Sequence, residues 1–230
     1  MKRFAAMLLV LMLALLAACG EVGYQQNVPE GVAQFDPPAA GEQIAVFETT
    51  AGRFSVRLFS ELAPQNVKNF ISLAEGGAYN GLTFHRVVAD LLIQSGDPTG
   101  TGTGGLSSTG QPIANEFSSA LHNFTGAVGM AGGEAGNESQ FYIVTAASLS
   151  DEMAERMRAA GLDQALISAY QTAFGAPHLD FRYTVFGQVY EGLDVVMRIA
   201  AGETDSQHRP LKPVTIKSVT VTAYQPDTAS

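Results

Sequence analysis

Between Tyr79 and Ala146 the chain is cut into short apolar runs, LTFHRVV, LLIQSGD, GAVGMA and SQFYIVTA, separated by Gly, Asn, Pro and Ser. Runs of this size suit strands and fall short of ordinary helices. The same rhythm holds on either side. Upstream, EQIAVFETTAGRFSVRLF reads as a hairpin, in which Phe54, Val56 and Leu58 alternate with Arg53, Ser55 and Arg57 and Ala51-Gly52 supply the turn. Downstream come YTVFGQVYEG and the Val/Thr-rich PVTIKSVTVTA. Two amphipathic helices interrupt the strands. The first carries Pro64 in its opening turn, places Val67, Phe70, Ile71 and Ala74 at i, i+3, i+4 and i+7, and ends at Gly76-Gly77; the second is LDVVMRIAAG. Many strands with few helices argue against a βαβ sheet and for a closed barrel or sandwich.

One segment departs from this rhythm. SLSDEMAERMRAAGLDQALISAYQTAFGAP, Ser148 to Pro177, is helical by composition and broken at Gly161, and Leu162, Ala165, Leu166, Ala169, Tyr170 and Ala173 share a helical face. It reads as a helical hairpin inserted between strands. With 46% hydrophobic residues in 230, the chain can bury one sizeable core.

The N-terminus is of another kind. Lys2 and Arg3 precede an apolar run from Phe4 to Ala18, which is long enough for an export signal and short for a membrane span. The run ends in Leu16-Ala17-Ala18-Cys19, which resembles a bacterial lipobox, so residues 1–18 read as a lipoprotein signal peptide and Cys19 as the lipidated first residue. Cys19 is the sole cysteine, so no intramolecular disulfide can form. Loss of residues 1–18 removes Lys2 and Arg3 and takes the formal charge from −9 to −11. Such an acidic surface argues against nucleic-acid partners and against charge-driven binding to anionic lipid. Residues 19–41, rich in Pro and Gly, read as a flexible tether, 42–224 as the folded domain and 225–230 as a tail.

The stretch LLIQSGDPTGTGTGG contains Gly100, Gly102 and Gly105 in the spacing of a dinucleotide fingerprint. A phosphate cradle needs a helix after its glycines. Here LSSTGQPIANEF follows, with Gly110 and Pro112, and no Lys-Ser/Thr pair closes the loop. Nucleotide binding is therefore set aside.

At FHRVV, IQSGDPTGTGTGG, NEF, GAVGMA, SQFYIVTA and YTVFGQVYEGLDVV the chain resembles the cyclophilin family of peptidyl-prolyl cis-trans isomerases, in order, from about Ile44 to Val221 apart from the insertion. The resemblance implies a mainly β fold, a closed eight-stranded antiparallel barrel with two capping helices. It implies a role for the glycine-rich loop as a wall of the substrate groove. It also implies that Arg86 favours the twisted X-Pro amide and that Gln94 and Gln140 fix the substrate backbone and the arginine. Leu91, Leu92, Met130, Ala131, Gly132, Tyr142, Leu179 and Tyr183 fall at groove positions. Several differ from the family's usual residues: Leu91 and Leu92 stand for Phe and Met, Tyr142 for Phe, Gly132 for Asn, Tyr183 for His and His178 for Trp.

Rotation about an X-Pro amide breaks no bond to a heavy atom, so the chemistry implied requires no metal or cofactor. The expected partners are proline-containing exported polypeptides and, through Cys19, the membrane; the protein is expected outside the cytoplasm as a monomer. The runner-up is a proline-binding holdase that has lost turnover, motivated by Leu91, Gly132 and Tyr183. His85, beside Arg86 on a strand, reads as a packed histidine, and His122 and His208 as solvated ones. Phe84, Phe117 and Phe141 read as core. Asp97, Glu116 and Glu134 sit in different loops and form no carboxylate pair.

Overall fold

The computed structural model describes residues 26–133 and 135–226. The hairpin expected at the start is β1 (Gln43–Thr49) and β2 (Gly52–Leu58), followed by α1 (Pro64–Glu75). Then come β3 (Arg86–Val88), β4 (Leu92–Ser95), β5 (Ala127–Met130) and β6 (Phe141–Val144). The insertion forms α2 (Asp151–Ala159) and α3 (Gln164–Ala173), and β7 (Val185–Glu191), α4 (Leu193–Ala200) and β8 (Ile216–Ala223) complete the domain.

The strands form one antiparallel sheet in the order β3-β4-β6-β5-β7-β2-β1-β8. It curls until its edges meet. Thr83, just before β3, bridges Thr215, just before β8, and the Phe84 and Ile216 amides donate to Val214 and Leu82 across the same seam. Closure is thus a short bridge, and the mainly β barrel expected from the sequence is present.

Inside the curl, Phe47, Phe54, Phe70, Phe141 and Phe186 meet Val67 and Ala74 of α1 and Val195, Val196 and Ile199 of α4. Phe47 stacks on Phe54 at 4.6 Å, and Phe70 meets Phe141 edge-on at 6.1 Å. Each of these rings contributes about 1.5–3 kcal/mol by leaving water. Pro64 opens α1, and the Glu116 carboxylate, from a distant loop, accepts from the free amides of Gln65 and Asn66. Glu116 is therefore a helix cap.

Four sequence readings are corrected. The segment expected as a flexible tether is packed over its described part: Gln34 is buried, donates to His122 O and Gln188 Oε1, and accepts from the His122 amide. Phe35 lies 5.2 Å from Phe124, and Arg57 donates to the carbonyls of Ala33 and Asp36. His122 is buried against Asp180 rather than solvated, because its flanking loop lies beneath this strap and α3. Phe117 is exposed, since the loop carrying it runs outside the barrel. On α3 the buried stripe is Ile167, Ala169, Tyr170 and Ala173, whereas Ala165 faces solvent. These side chains pack on Phe124 and make the hairpin part of the domain's own packing.

Candidate active site

Strand alternation divides the side chains of β3, β4 and β6 between two faces. Val87, Ile93, Phe141 and Ile143 enter the barrel core. The outer face keeps the other set. Register places Arg86 opposite Gln94 and Gln94 opposite Tyr142, while Val88, Leu92 and Val144 form a parallel apolar row. A polar row and an apolar row thus lie side by side on three neighbouring strands.

The polar row is a directed chain of hydrogen bonds. An Arg86 guanidinium N–H donates to Gln94 Oε1 at 3.2 Å, and Gln94 Nε2 donates to Gln140 Oε1 at 2.8 Å. Gln140 Nε2 in turn donates to the carbonyls of Gly102, at 3.1 Å, and Gly104, at 2.7 Å. The glycine-rich loop is the end point of this chain, and no helix begins between Gly105 and Gly126 to cradle a phosphate. Asp97 knots the loop, accepting from Thr99 N at 2.7 Å, Thr99 Oγ1 at 2.8 Å and Gly102 N at 2.6 Å. Burial pushes the Asp97 carboxyl up, but the Thr99 hydroxyl and the amides of Thr99, Gly104 and Gly102 together outweigh it and hold the group well below the usual carboxylate range. Among the described residues no carboxylate lies in salt-bridge range of Arg86. Neutral amides orient its guanidinium and leave its charge unmatched.

The apolar row belongs to a cluster with Phe59, Leu121, Ala127, Tyr142 and Val185, with Leu91, Ala131, Leu179 and Tyr183 packed against it. Leu91 comes from the β3–β4 turn, Leu179 from a 3₁₀ turn at Pro177–Leu179, and Tyr183 meets Tyr142 edge-on at 5.8 Å. Met130 does not share this surface. It is wholly buried in the barrel core, so its expected place in the groove is corrected: Gly129, not Met130, turns outward on β5, and the Tyr142 ring lies across it. Gly132 has a steric reason to lack a side chain. A Cβ there would meet Asn137 Oδ1 at 2.2 Å and the Gly136 carbonyl at 2.4 Å. Asn137 cannot yield easily, being buried and bonded to Asn66 and Asn115.

The sequence reading missed a second polar cluster behind this surface. The Tyr142 hydroxyl donates to Asn123 Oδ1 at 2.7 Å, and Asn123 donates its amide N–H and side-chain Nδ2 to Asp180 Oδ1. Burial, and then the Asp180 charge, push the Tyr142 phenol well above its ordinary range, so it remains a donor. Tyr170 of α3 donates to Asp180 Oδ2 at 2.8 Å, and His122 Nδ1 lies 2.9 Å from the same oxygen. No spacing in the sequence brings Asn123, Tyr170 and Asp180 together; the sole signal is that Tyr142 carries a hydroxyl needing a partner. Cys19 and Glu134 lie outside the described residues. Among the described residues no three His, Cys, Asp or Glu side chains gather as a metal site, and no helix is long and apolar enough to cross a membrane.

The sequence model for "Cyclophilin type peptidyl-prolyl cis-trans isomerase/CLD" matches residues 44–221. The chain belongs to the cyclophilin family. A Staphylococcus saprophyticus protein named peptidyl-prolyl cis-trans isomerase is 40% identical to this cyclophilin over 177 residues, 76% of this chain and 90% of that protein. A Staphylococcus aureus protein of the same name is 40% identical over 182 residues, 79% of this chain and 92% of its own. Among solved structures, a Cryptosporidium parvum cyclophilin type peptidyl-prolyl cis-trans isomerase, determined in the presence of the dipeptide Ala-Pro, superposes with a TM-score of 0.64 at 25% identity, over 79% of this chain and 99% of that one. This cyclophilin is accordingly a peptidyl-prolyl cis-trans isomerase by family.

Proposed function

We infer that this cyclophilin turns X-Pro bonds in exported polypeptides by holding the proline ring on Leu92, Tyr142, Leu179 and Tyr183 while Arg86 favours the twisted amide. The observation that carries this reading is an arginine oriented by amides and matched by no carboxylate, set beside an apolar surface. Twisting the C–N bond destroys its resonance, and the barrier is about 20 kcal/mol. A fixed cation lowers it only by interacting more strongly with the twisted amide than with either planar isomer. Leu91 and Ala131 edge the groove, and Gln140 and the loop it holds align the substrate backbone. The Ala-Pro dipeptide present with the C. parvum relative supports a proline-containing ligand here.

Arg86→Ala is expected to lower kcat/KM by about 10²- to 10³-fold, with turnover reduced more than peptide affinity. Arg86→Lys should recover little, because an ammonium lacks the planar fork. Gln94→Ala should cost less than either. NMR exchange on a short X-Pro peptide measures all three. A folded wild type that binds proline peptides without turning them over would replace the enzyme by a holdase.

The place of action proposed is outside the cytoplasmic membrane, through lipid on Cys19, where slow prolyl steps delay newly exported chains. Two acyl chains anchor firmly where one does not. Cys19→Ser should leave the signal peptide uncleaved and the protein unacylated, and an unchanged mature mass and detergent partitioning would remove the anchor from this reading.

A further inference from the structure

Beyond the Tyr183 ring lies a notch of about 10 Å³, room for no more than a water molecule, where Phe117 and Phe181 stand beside the polar groups of Glu116, Ser118 and Asn123. Phe117 is 48% and Phe181 56% exposed, so two phenylalanine rings stand open to water beside the groove. Phe181 is also strained. Its φ of 57° lies in the left-handed region, where a bulky side chain is rare and a glycine would sit at no steric cost.

The residues around Phe181 hold it there. Asp180 is fastened by Asn123, His122 and Tyr170, and the Leu179 carbonyl accepts from the amides of Arg182 and Tyr183. The backbone on both sides is fixed, and the His122 ring stands perpendicular to the Phe181 ring at 6.3 Å. Strain maintained at an exposed aromatic side chain next to a binding surface points to a use for that side chain. The notch also lacks a free carboxylate at its one acidic residue, since Glu116 is occupied by Gln65 and Asn66 at the start of α1.

We propose that the exposed faces of Phe117 and Phe181, on the surface next to Tyr183 and outside the notch itself, form a second subsite that a bulky apolar side chain flanking the proline of the same polypeptide covers. This rests on the isomerase reading of the groove and adds a sequence preference to it. The partner is fixed by the chemistry of the two rings, which gain by stacking on or covering another apolar group, and by their place next to Tyr183.

The test is kcat/KM for the mature protein on X-Pro-Y tetrapeptides in which X and Y are each varied among Ala, Leu and Phe, followed by NMR exchange. Leu or Phe should exceed Ala about five- to tenfold at one of the two positions. In Phe181→Gly that ratio should fall towards one while Tm holds or rises, because glycine relieves the left-handed backbone. Phe117→Ser, at the other ring, should lower the same ratio without changing the backbone. A wild type that turns over the Ala peptides with no apolar preference, or a ratio unmoved in both variants, overturns the subsite and leaves the isomerase standing. A wild type silent on every peptide removes the isomerase reading and this subsite with it.

Discussion

His85 and Arg86 are neighbours with opposite fates. Arg86 faces the groove and donates to Gln94, whereas His85 is buried with neither ring nitrogen hydrogen-bonded. Burial lowers the His85 pKa, assisted by Arg86 and opposed by Asp97. The unfolded chain takes up this proton near pH 6.5, the folded one only at lower pH. Stability from a neutral His85 is therefore complete above about 6.5 and is lost as pH falls through the folded value. His85→Phe keeps an aromatic body and removes the titration. Its Tm should fall less than that of wild type between about pH 7 and pH 5, and equal losses would show that His85 is already charged or solvated in the native state. The sequence places His85 correctly as a packed residue by alternation. It cannot show that both nitrogens lack partners, because that depends on what the segment before β8, which meets Phe84 and Val87 through Val214 and His208, brings across the seam.

At the scale of elements, what could be read locally in the sequence is what survives in the fold. Alternation in FSVRL and the 3.6-residue period of VKNFISLA are properties of contiguous residues, and they appear as β2 and α1. The hairpin breaks at Gly161 for the same reason, with Ser150 and Asp163 capping its two helices through their side chains. Which face of α3 is buried was not legible. The stripe through Ala165 and the stripe through Ile167 differ by a rotation that only the partner decides, and the partner is Phe124, whose ring lies 4.5 Å from Tyr170. Met130 fails in the complementary way. Its neighbours Gly129 and Ala131 both touch the groove side, and strand alternation alone sends Met130 inward. The polar relay was readable in part. Arg86, Gln94 and Gln140 lie in motifs that can be recognised, but their order as donors and acceptors requires the register of β3 on β4 and β4 on β6. The Asp180 cluster draws on four separate segments, and its sole trace in the sequence is the Tyr142 hydroxyl, which needs a partner.

For the molecule as a whole, the strap before β1 changes what counts as the folded unit. Pro- and Gly-rich sequence with no apolar period reads as a tether, yet Gln34 spends its side chain on His122 and Gln188, and Phe35 covers Phe124. Phe124 also supports Tyr170, and Tyr170 supports Asp180, so the strap stands behind the loop that carries Leu179 and Tyr183. The packed domain therefore extends upstream of Glu42 at least as far as Gln26, whose side chain donates to the Thr125 carbonyl. On the proposal that Cys19 carries lipid, the chain from Cys19 to Gln26 can span at most about 25 Å, at roughly 3.3–3.6 Å per residue, and the groove would lie close to the membrane. Two soluble proteins, one starting at Gln26 and one at Glu42, separate the readings. Removing the strap exposes Phe124 and releases the hydrogen bonds of Gln34, and the loss should be about 2–4 kcal/mol of unfolding free energy. Water can serve the freed His122 and Gln188 groups, which keeps the figure below the cost of stranding them in a dry core. The shorter protein should also bind X-Pro peptides more weakly, because the Asp180 loop loses its backing. Urea unfolding and peptide titration of the pair measure both effects. Equal stability and equal affinity would return residues 26–41 to the status of a tether.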